Sequence, residues 1–313
     1  MERMRRLDWI VDADSEGVRV DTLLRSRLHL SGTVIRRIKW LEDGILVDGQ
    51  RVNTRFVPKA GQTLSVRLSQ PQRLSGVLPA QGDLDIVYED EDIIVINKAA
   101  GVSVHPGPGH YKDTLGNFLV DHYQRTGQPA DFHPVHRLDR GTSGLLVSAK
   151  HAHAQERLKA QLHTPDFRRV YLAVCEGEPT PPSGLVDAPI GPVDGSLMAQ
   201  QVREDGKPAR THYEVMETSD GRALLQLELE TGRTHQIRVH MAHIGHPLTG
   251  DFLYGTEDHS LIARTALHSH RLEFLHPITG EKLHFAQALP ADMVCLLERG
   301  KPWGSKELHI DEK

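Results

Sequence analysis

The segment His136-Arg137-Leu138-Asp139-Arg140-Gly141-Thr142-Ser143-Gly144-Leu145-Leu146 concentrates reactive side chains in a short stretch. Asp139 stands between two arginines, in a turn that Gly141 and Gly144 permit and that Thr142 or Ser143 can tie to the main chain, just ahead of an apolar run. Such a turn presents a carboxylate at the entrance of a strand. Flanking guanidinium charge favours its ionised form, which a nucleophile or base requires and a general acid does not. The same residues also suit an ordinary turn closed by an Asp–Arg pair, with no chemistry attached.

Twenty histidines raise a second possibility, metal binding, above all at His240, His243 and His246, with His235 nearby. Three-residue spacing on one helix spreads side chains over neighbouring faces, and no H-E-x-x-H is present. The expectation is therefore no functional metal, with these histidines partly buried and bonded to backbone. Cys175 and Cys295, the two cysteines, supply neither a disulfide framework nor a cysteine zinc site, and two unpaired thiols suit a reducing compartment.

A third feature is basic. Residues 1–70 carry thirteen Lys and Arg against nine Asp and Glu, whereas the remaining 243 carry 24 against 33, so the net −5 conceals segments of opposite sign. Between Thr22 and Leu41 there is no acidic residue, while Arg25, Arg27, Arg36, Arg37 and Lys39 provide five positive charges. A patch of this kind suits a phosphate backbone, and equally a solvated face without a partner.

The elements that must position these groups follow from periodicity. Apolar 3/4 spacing predicts a helix capped by Asp21 or Thr22 through Leu23, Leu24 and Leu28. A second, capped by Ser31, runs through Val34, Ile35, Ile38 and Leu41 and ends at Gly44. A hairpin turning at Asp48-Gly49 and a strand at 63–68 complete a small αα-β unit. Residues 69–83, rich in Gln, Ser, Pro and Gly, read as a linker. Beyond them, strands are expected at 84–88, 92–97, 144–149, 170–174, 223–230, 267–275 and 282–286, with helical spacing at 115–122 and 152–162. Residues 176–195 read as an irregular Pro/Gly-rich insertion, and residues after Gly300 as a frayed tail. Strands outnumber helices without βαβ alternation, which predicts an α+β domain on a mixed, largely antiparallel sheet. The expected organisation is a module at 1–70, a linker at 71–83, a larger domain at 84–300 and a tail at 301–313. With 313 residues, 38% hydrophobic and 25% charged, and a mean hydropathy of −0.40, the chain can bury a substantial core. It has no apolar run long enough to span a bilayer. Asp8, Asp12 and Asp14 interrupt the place of a signal-peptide core, so a cytoplasmic location is expected, with a monomer as the default.

Two long motifs carry a resemblance to a known family. The Asp139 segment resembles the catalytic motif of the large-subunit (RluA-type) pseudouridine synthases. Thr231-Gly232-Arg233-Thr234-His235-Gln236-Ile237-Arg238-Val239-His240, continuing to Gly245-His246-Pro247-Leu248-Thr249-Gly250-Asp251, resembles their second signature. Asn97-Lys98 with 101–106, Arg169-Val170-Tyr171-Leu172-Ala173-Val174 and Gly206-Lys207-Pro208-Ala209-x-Thr211-x-Tyr213 extend the match over about residues 84–289. Ala99, Gly141 and Arg168-Arg169 depart from the common pattern, and none touches Asp139. The first 70 residues resemble the S-four-type RNA-binding module through Val20-Asp21-x-x-Leu24, Ser31, Gly44-Ile45-x-Val47-Asp48-Gly49 and Gly61-Gln62-Thr63, with Asp48 where Asn is usual.

The resemblance implies a pseudouridine synthase-like catalytic domain and an isomerase that converts uridine in RNA to pseudouridine without a cofactor. The ring nitrogen 1 bond to ribose breaks, the uracil turns, and carbon 5 joins the sugar. The target base must be extruded from its stack, at a cost of a few kcal/mol. Asp139 would be the nucleophile, by attack on the ring, on the anomeric carbon, or through a glycal-like intermediate. Tyr171 would stack on the uracil and serve as base or proton relay. Arg238 would pair with Asp139, and Arg137 would fill the gap left by the flipped base. Arg233 and His235 would line the cleft or anchor their segment on the sheet, with Lys98 and His105 as further RNA contacts. Large-subunit ribosomal RNA is the implied substrate. The alternatives are transfer RNA, or a ribosome-associated RNA-binding protein that has lost catalysis.

Overall fold

The computed structural model describes residues 4–69 and 75–298. The first unit is a four-stranded antiparallel sheet backed by two helices. Its elements are β1 (Arg6–Ile10), α1 (Val20–Ser26), α2 (Gly32–Ile38), β2 (Ile45–Val47), β3 (Gln50–Arg51) and β4 (Thr63–Arg67), with strand order β1-β4-β2-β3. Leu23, Leu24, Val34, Ile35 and Ile38 meet Ile45, Leu64 and Val66 in one buried cluster. Ser31 caps α2 by accepting from Val34 N, as expected. α1 corrects the other cap: it begins earlier, after Arg19, which supplies no side-chain cap. α2 stops at Ile38 rather than Leu41. Gly44 then comes so close to Ile38 O that an added side-chain carbon would lie 1.8 Å from it. Asp48 (φ 48°) and Gly49 (φ 78°) form the expected hairpin turn. Strand β1 has no counterpart in the periodicity reading.

Half of the expected linker belongs to the larger unit. Ser75 bonds the Asp131 carboxylate through its amide and hydroxyl. Leu78 O accepts from Asn117 Nδ2 at 2.7 Å, and Gly82 lies flat against Phe118. Residues 70–74 and the expected tail lie outside the described residues.

The large unit contains β5 (Ile86–Glu89), β6 (Ile93–Lys98), α3 (Leu115–Arg125), β7 (His133–Pro134), β8 (Ser143–Ala149), α4 (Ala152–Gln161), β9 (Arg168–Glu176), β10 (Ser183–Asp187), β11 (Ile190–Pro192), β12 (Gln200–Val202), β13 (Arg210–Ser219), β14 (Arg222–Leu229), α5 (Gln236–His243), β15 (Leu267–Leu275), β16 (Lys282–Ala286) and α6 (Ala291–Glu298). One sheet runs β10-β13-β14-β9-β15-β8-β6-β5, with β16 on β15 and β7 on β8. Its pairings are antiparallel except β15 with β8, giving the α+β class and the mixed sheet the strand pattern predicts. The expected irregular insertion is corrected in part: it contributes β10 to the sheet edge and β11 to a hairpin with β12. Dense Pro and Gly hide these short strands from a periodicity reading.

Both faces of the sheet are covered, so β8 is buried along its whole length. The lone parallel pairing is made possible by Gly144, at φ +106°, where a side-chain carbon would lie 2.3 Å from Ser269 O. This close approach fixes where the preceding Asp139 turn emerges from the sheet. No helix among the described residues is long and apolar enough to cross a membrane.

Candidate active site

Asp139 occupies a tight turn closed by Thr142 N donating to Asp139 O at 3.1 Å. Leu138 plunges into the core beside it, while the Arg140 guanidinium turns away to bond Gly101 O at 2.8 Å. The turn is clamped from below. Lys98, 2% exposed, donates to Ala99 O and Val102 O at 2.8 Å and to Arg140 O at 3.4 Å. Burial pushes the Lys98 amine down to about 7, with the Asp139 carboxylate pulling the other way. Lys98 thus secures the loop and is not exposed for RNA, contrary to the contact expected of it.

The positive charge facing Asp139 comes from across the cleft, not from its chain neighbours. Arg238, on α5, places Nη1 3.3 Å from Asp139 Oδ2. Its Nε and Nη2 each lie 2.7 Å from the Asp251 carboxylate in a two-pronged pair. Burial opposes the Arg238 charge, but the bonds to Asp251 and the charges of Asp251 and Asp139 outweigh it and raise the guanidinium further. Phe252 and Tyr254 cover the same guanidinium, their ring centres 5.6 and 5.1 Å away.

Helix α5 is oriented by Gln236 rather than by a cap. Its side-chain oxygen accepts from Arg233 N and Thr231 Oγ1, and its amide donates to Arg210 O and Thr211 Oγ1. His235, left-handed at φ 55°, then points into the cleft. Its Nε2 is 4.0 Å from Asp139, and its Nδ1 is 2.8 Å from the Tyr254 hydroxyl. Burial lowers its pKa, with Asp139 opposing. Arg233 does both things expected of it: it lines the cleft rim and anchors to Pro208 O at 3.0 Å.

Tyr171, from β9, lines the same cleft and is 4% exposed. Burial raises its pKa, and the Asp139 charge adds to this against Arg169. The phenol therefore keeps its proton at neutral pH. Arg137 is exposed and lies where the cleft meets an adjoining groove containing His105 and Lys159. One cleft thus contains Asp139, Tyr171, Arg238, Arg137, Arg233 and His235, with Arg169 and His136 as further lining that the motif reading did not single out. Asp251 closes the second signature, and the motif reading assigns it no role. Its signal was an acidic residue beside a cluster of basic ones.

The expected RNA-binding residues lie apart, on α1, α2 and the residues just after them. Arg25 and Arg36 converge over Gly32, Arg37 is exposed, and Lys39 sits 4.8 Å from the ring of the exposed Trp40. Arg27, also exposed, differs in being engaged by Ser15 Oγ at 3.2 Å and by Asp12. Of the histidines considered for metal, His240 bonds Thr211 and Ala188 O and His246 bonds Glu176 O. Asp90, Asp92 and His276 converge elsewhere, but each is engaged: His276 with Asp90, and Asp92 with His151 and Arg5.

A carboxylate–guanidinium pair and a phenol lining one cleft, beside the seam of a mixed, largely antiparallel sheet, form the site that the resemblance to pseudouridine synthases implies. A family model described as RNA pseudouridylate synthase matches residues 92–243. The chain is 41% identical to the RNA pseudouridine synthase YjbO of Bacillus subtilis, over 87% of this chain and 95% of that protein. It is 42% identical to ribosomal large subunit pseudouridine synthase D of Yersinia pestis, over 83% and 85%. Among solved structures it resembles human RNA pseudouridylate synthase domain containing 1, with 27% identity, a TM-score of 0.57, and coverage of 68% of this chain and 87% of that one. The chain belongs to the RluA-type family of RNA pseudouridine synthases, and is an isomerase.

Proposed function

We propose that this enzyme isomerises uridine in large-subunit ribosomal RNA, with Asp139 as nucleophile, Arg238 as the group that holds and polarises it, and Tyr171 as the surface against which the everted uracil stacks. The observation that carries the reading is the 3.3 Å contact between Asp139 and an Arg238 that Asp251 grips more tightly. A carboxylate held by one long bond keeps its reach toward a substrate. Arg137, at the mouth, would enter the stack as the uridine leaves it and offer a planar cation to the neighbouring bases and phosphates.

The choice of ribosomal RNA draws on the name of the Yersinia pestis relative and on the basic face of the first unit, proposed as an S-four-type RNA-binding module at 1–70. A route between the two sites supports this. Arg37 bears electrostatically on His133, and residues 134–137 continue from there along the groove into the cleft. The chemistry draws only on groups of the protein and RNA. The ring nitrogen and ring carbon exchange places on the sugar, and the proton lost from carbon 5 is balanced by one gained at nitrogen 1.

Asp139→Asn and Asp139→Ala should abolish pseudouridine formation in single-turnover assays while leaving RNA affinity within a few-fold, because phosphate contacts dominate binding. Turnover near that of the wild type would overturn the assignment. Pseudouridine mapping of total RNA from cells with and without the gene should lose signal from large-subunit ribosomal RNA. Loss confined to transfer RNA would redirect the substrate.

A further inference from the structure

Arg169 is used by nothing described so far. It lies two residues before Tyr171 on β9, so both side chains project from the same face of the strand, and both line the cleft that contains Asp139. Arg169 is 4% exposed, yet its Nε and Nη2 are buried with no hydrogen-bond partner among the described residues. A guanidinium carries five N–H donors and no acceptor, and burying it unpaired is costly unless something else fills those donors. The surroundings are built to admit it. At Gly232, in the second signature, an added side-chain carbon would lie 3.1 Å from Arg169 Nη1, and the Phe167 ring lies 5.9 Å beneath the guanidinium.

His136 supplies a second donor on the same wall. Its Nε2 accepts from Val147 N at 3.4 Å, which leaves the ring proton on Nδ1, and Nδ1 is also buried without a partner among the described residues. His136 packs edge-on against the same Phe167 ring, 5.9 Å away. Three unfilled donor nitrogens, with no unfilled acceptor from this wall among the described residues, fit an acceptor-only oxygen. The depth selects which one. Phosphates would be met at the mouth by the exposed Arg137 and the half-buried Arg233, whereas a uracil lying on Tyr171 would bring a carbonyl edge to Arg169.

We infer that Arg169, seconded by His136, binds a carbonyl oxygen of the everted uracil and stabilises the negative charge that develops on the base when it separates from ribose. This rests on the proposed seating of uracil over Tyr171. In the step concerned, the bond from the anomeric carbon to nitrogen 1 breaks and its electron pair stays with the ring, where the charge is shared by nitrogen 1 and the two exocyclic oxygens. The Asp139 carboxylate bonds to the anomeric carbon as nitrogen 1 departs. Carbon 5 then displaces it there, so the carbon–carboxylate bond breaks and Asp139 recovers its electron pair, and the carbon 5 proton leaves while nitrogen 1 takes one up. Arg169 keeps its own proton throughout and acts only through bonds that strengthen with the charge.

The test uses the full-length enzyme with RNA carrying uridine, 2-thiouridine or 4-thiouridine at the target position. Sulfur accepts hydrogen bonds poorly, so the wild-type single-turnover rate should fall with one of the two thio bases. Arg169→Met should slow the uridine reaction by about 100-fold, the usual loss for one preorganised donor. It should leave RNA affinity within a few-fold and the melting temperature near the wild-type value, since no protein bond is lost. In that variant the thio penalty should disappear, and Arg169→Lys should restore part of both the rate and the penalty. Equal thio penalties in wild type and Arg169→Met would overturn the carbonyl assignment. A penalty shared instead with a methylphosphonate next to the target would move Arg169 to a phosphate and also overturn it. If Arg169→Met unfolds, a lowered uridine rate with an undiminished thio penalty in Arg169→Lys gives the same refutation. Activity in Asp139→Asn, by contrast, would sink the reading of the nucleophile while leaving the Arg169 coupling measurable.

Discussion

Arg238 is shared unequally between two carboxylates, and the inequality matters for the chemistry. Asp251, fully buried, accepts two 2.7 Å bonds from it and also accepts from Leu253 N and Tyr254 N through Oδ1. Asp139, 19% exposed, accepts one 3.3 Å bond. Asp251 therefore fixes Arg238, and under the proposed function Asp139 is the carboxylate left to meet substrate. Asp251→Asn keeps the oxygen that caps 253–254 but removes the charge. Leaving Arg238 uncompensated should cost about 3–5 kcal/mol of stability and let the guanidinium close onto Asp139, lowering kcat more than RNA affinity. Thermal melting with single-turnover kinetics checks both, and an unchanged kcat would deny the positioning role. Asp139, Tyr171 and Arg238 were legible because their motifs carry them as a set. Asp251 and Arg169 were not, because a residue's type does not reveal whether its partner is another side chain or a substrate.

At the level of elements, the site stands on the junction of β8 with β15. Gly144 lets the two strands touch, and His268, 1% exposed, locks them: Nδ1 pairs with Ser143 Oγ at 2.9 Å and Nε2 with Gln287 O at 3.3 Å. Burial pushes His268 from the ordinary 6.5 down to about 4, and desolvation takes the half-buried His133 and His136 to about 4 and about 3. The folded protein thus keeps these rings neutral, while the unfolded chain takes up protons once the pH falls below about 6.5. Between that value and about 4 the unfolded state binds more protons, so stability is full above 6.5 and falls as the medium is acidified. Denaturant unfolding at pH 7.5, 6.0 and 4.5 should show this fall. In His268→Asn, which can still bridge Ser143 and Gln287, the slope should be shallower by up to about 1.4 kcal/mol per pH unit. Identical slopes would mean that His268 titrates alike in both states. The buried strands β8, β9 and β15 were readable as apolar runs, and α3 and α4 by helical spacing. Strands β10 and β11 escaped because edge pairing asks little of the side chains, and β1 because five mixed residues gain their order from β4 alone.

Across the whole molecule, the opposite charges of the two segments resolve into a basic face on the first unit and an acidic turn on the second. Arg5 joins them, bonding Asp92 at 2.7 and 2.8 Å and reaching Glu91, and Ser31, besides capping α2, donates to Glu156 at 2.8 Å. Composition revealed the asymmetry, but not which cations remain available. Arg27 is engaged by Ser15 and Asp12, whereas Arg25, Arg36, Arg37 and Lys39 stand over an exposed surface with Trp40. Replacing those four by alanine should weaken RNA binding and reduce the slope of log affinity against log salt by up to about 0.7–0.9 for each phosphate that is no longer neutralised. The single-turnover rate at saturating enzyme should be unchanged, since none of the four reaches the cleft. Arg27→Ala should instead lower thermal stability and leave the salt slope as it was. A quadruple variant with wild-type salt dependence would detach the basic face from RNA and leave binding to the cleft and its adjoining groove, where Arg137, His105 and Lys159 would have to meet the phosphates.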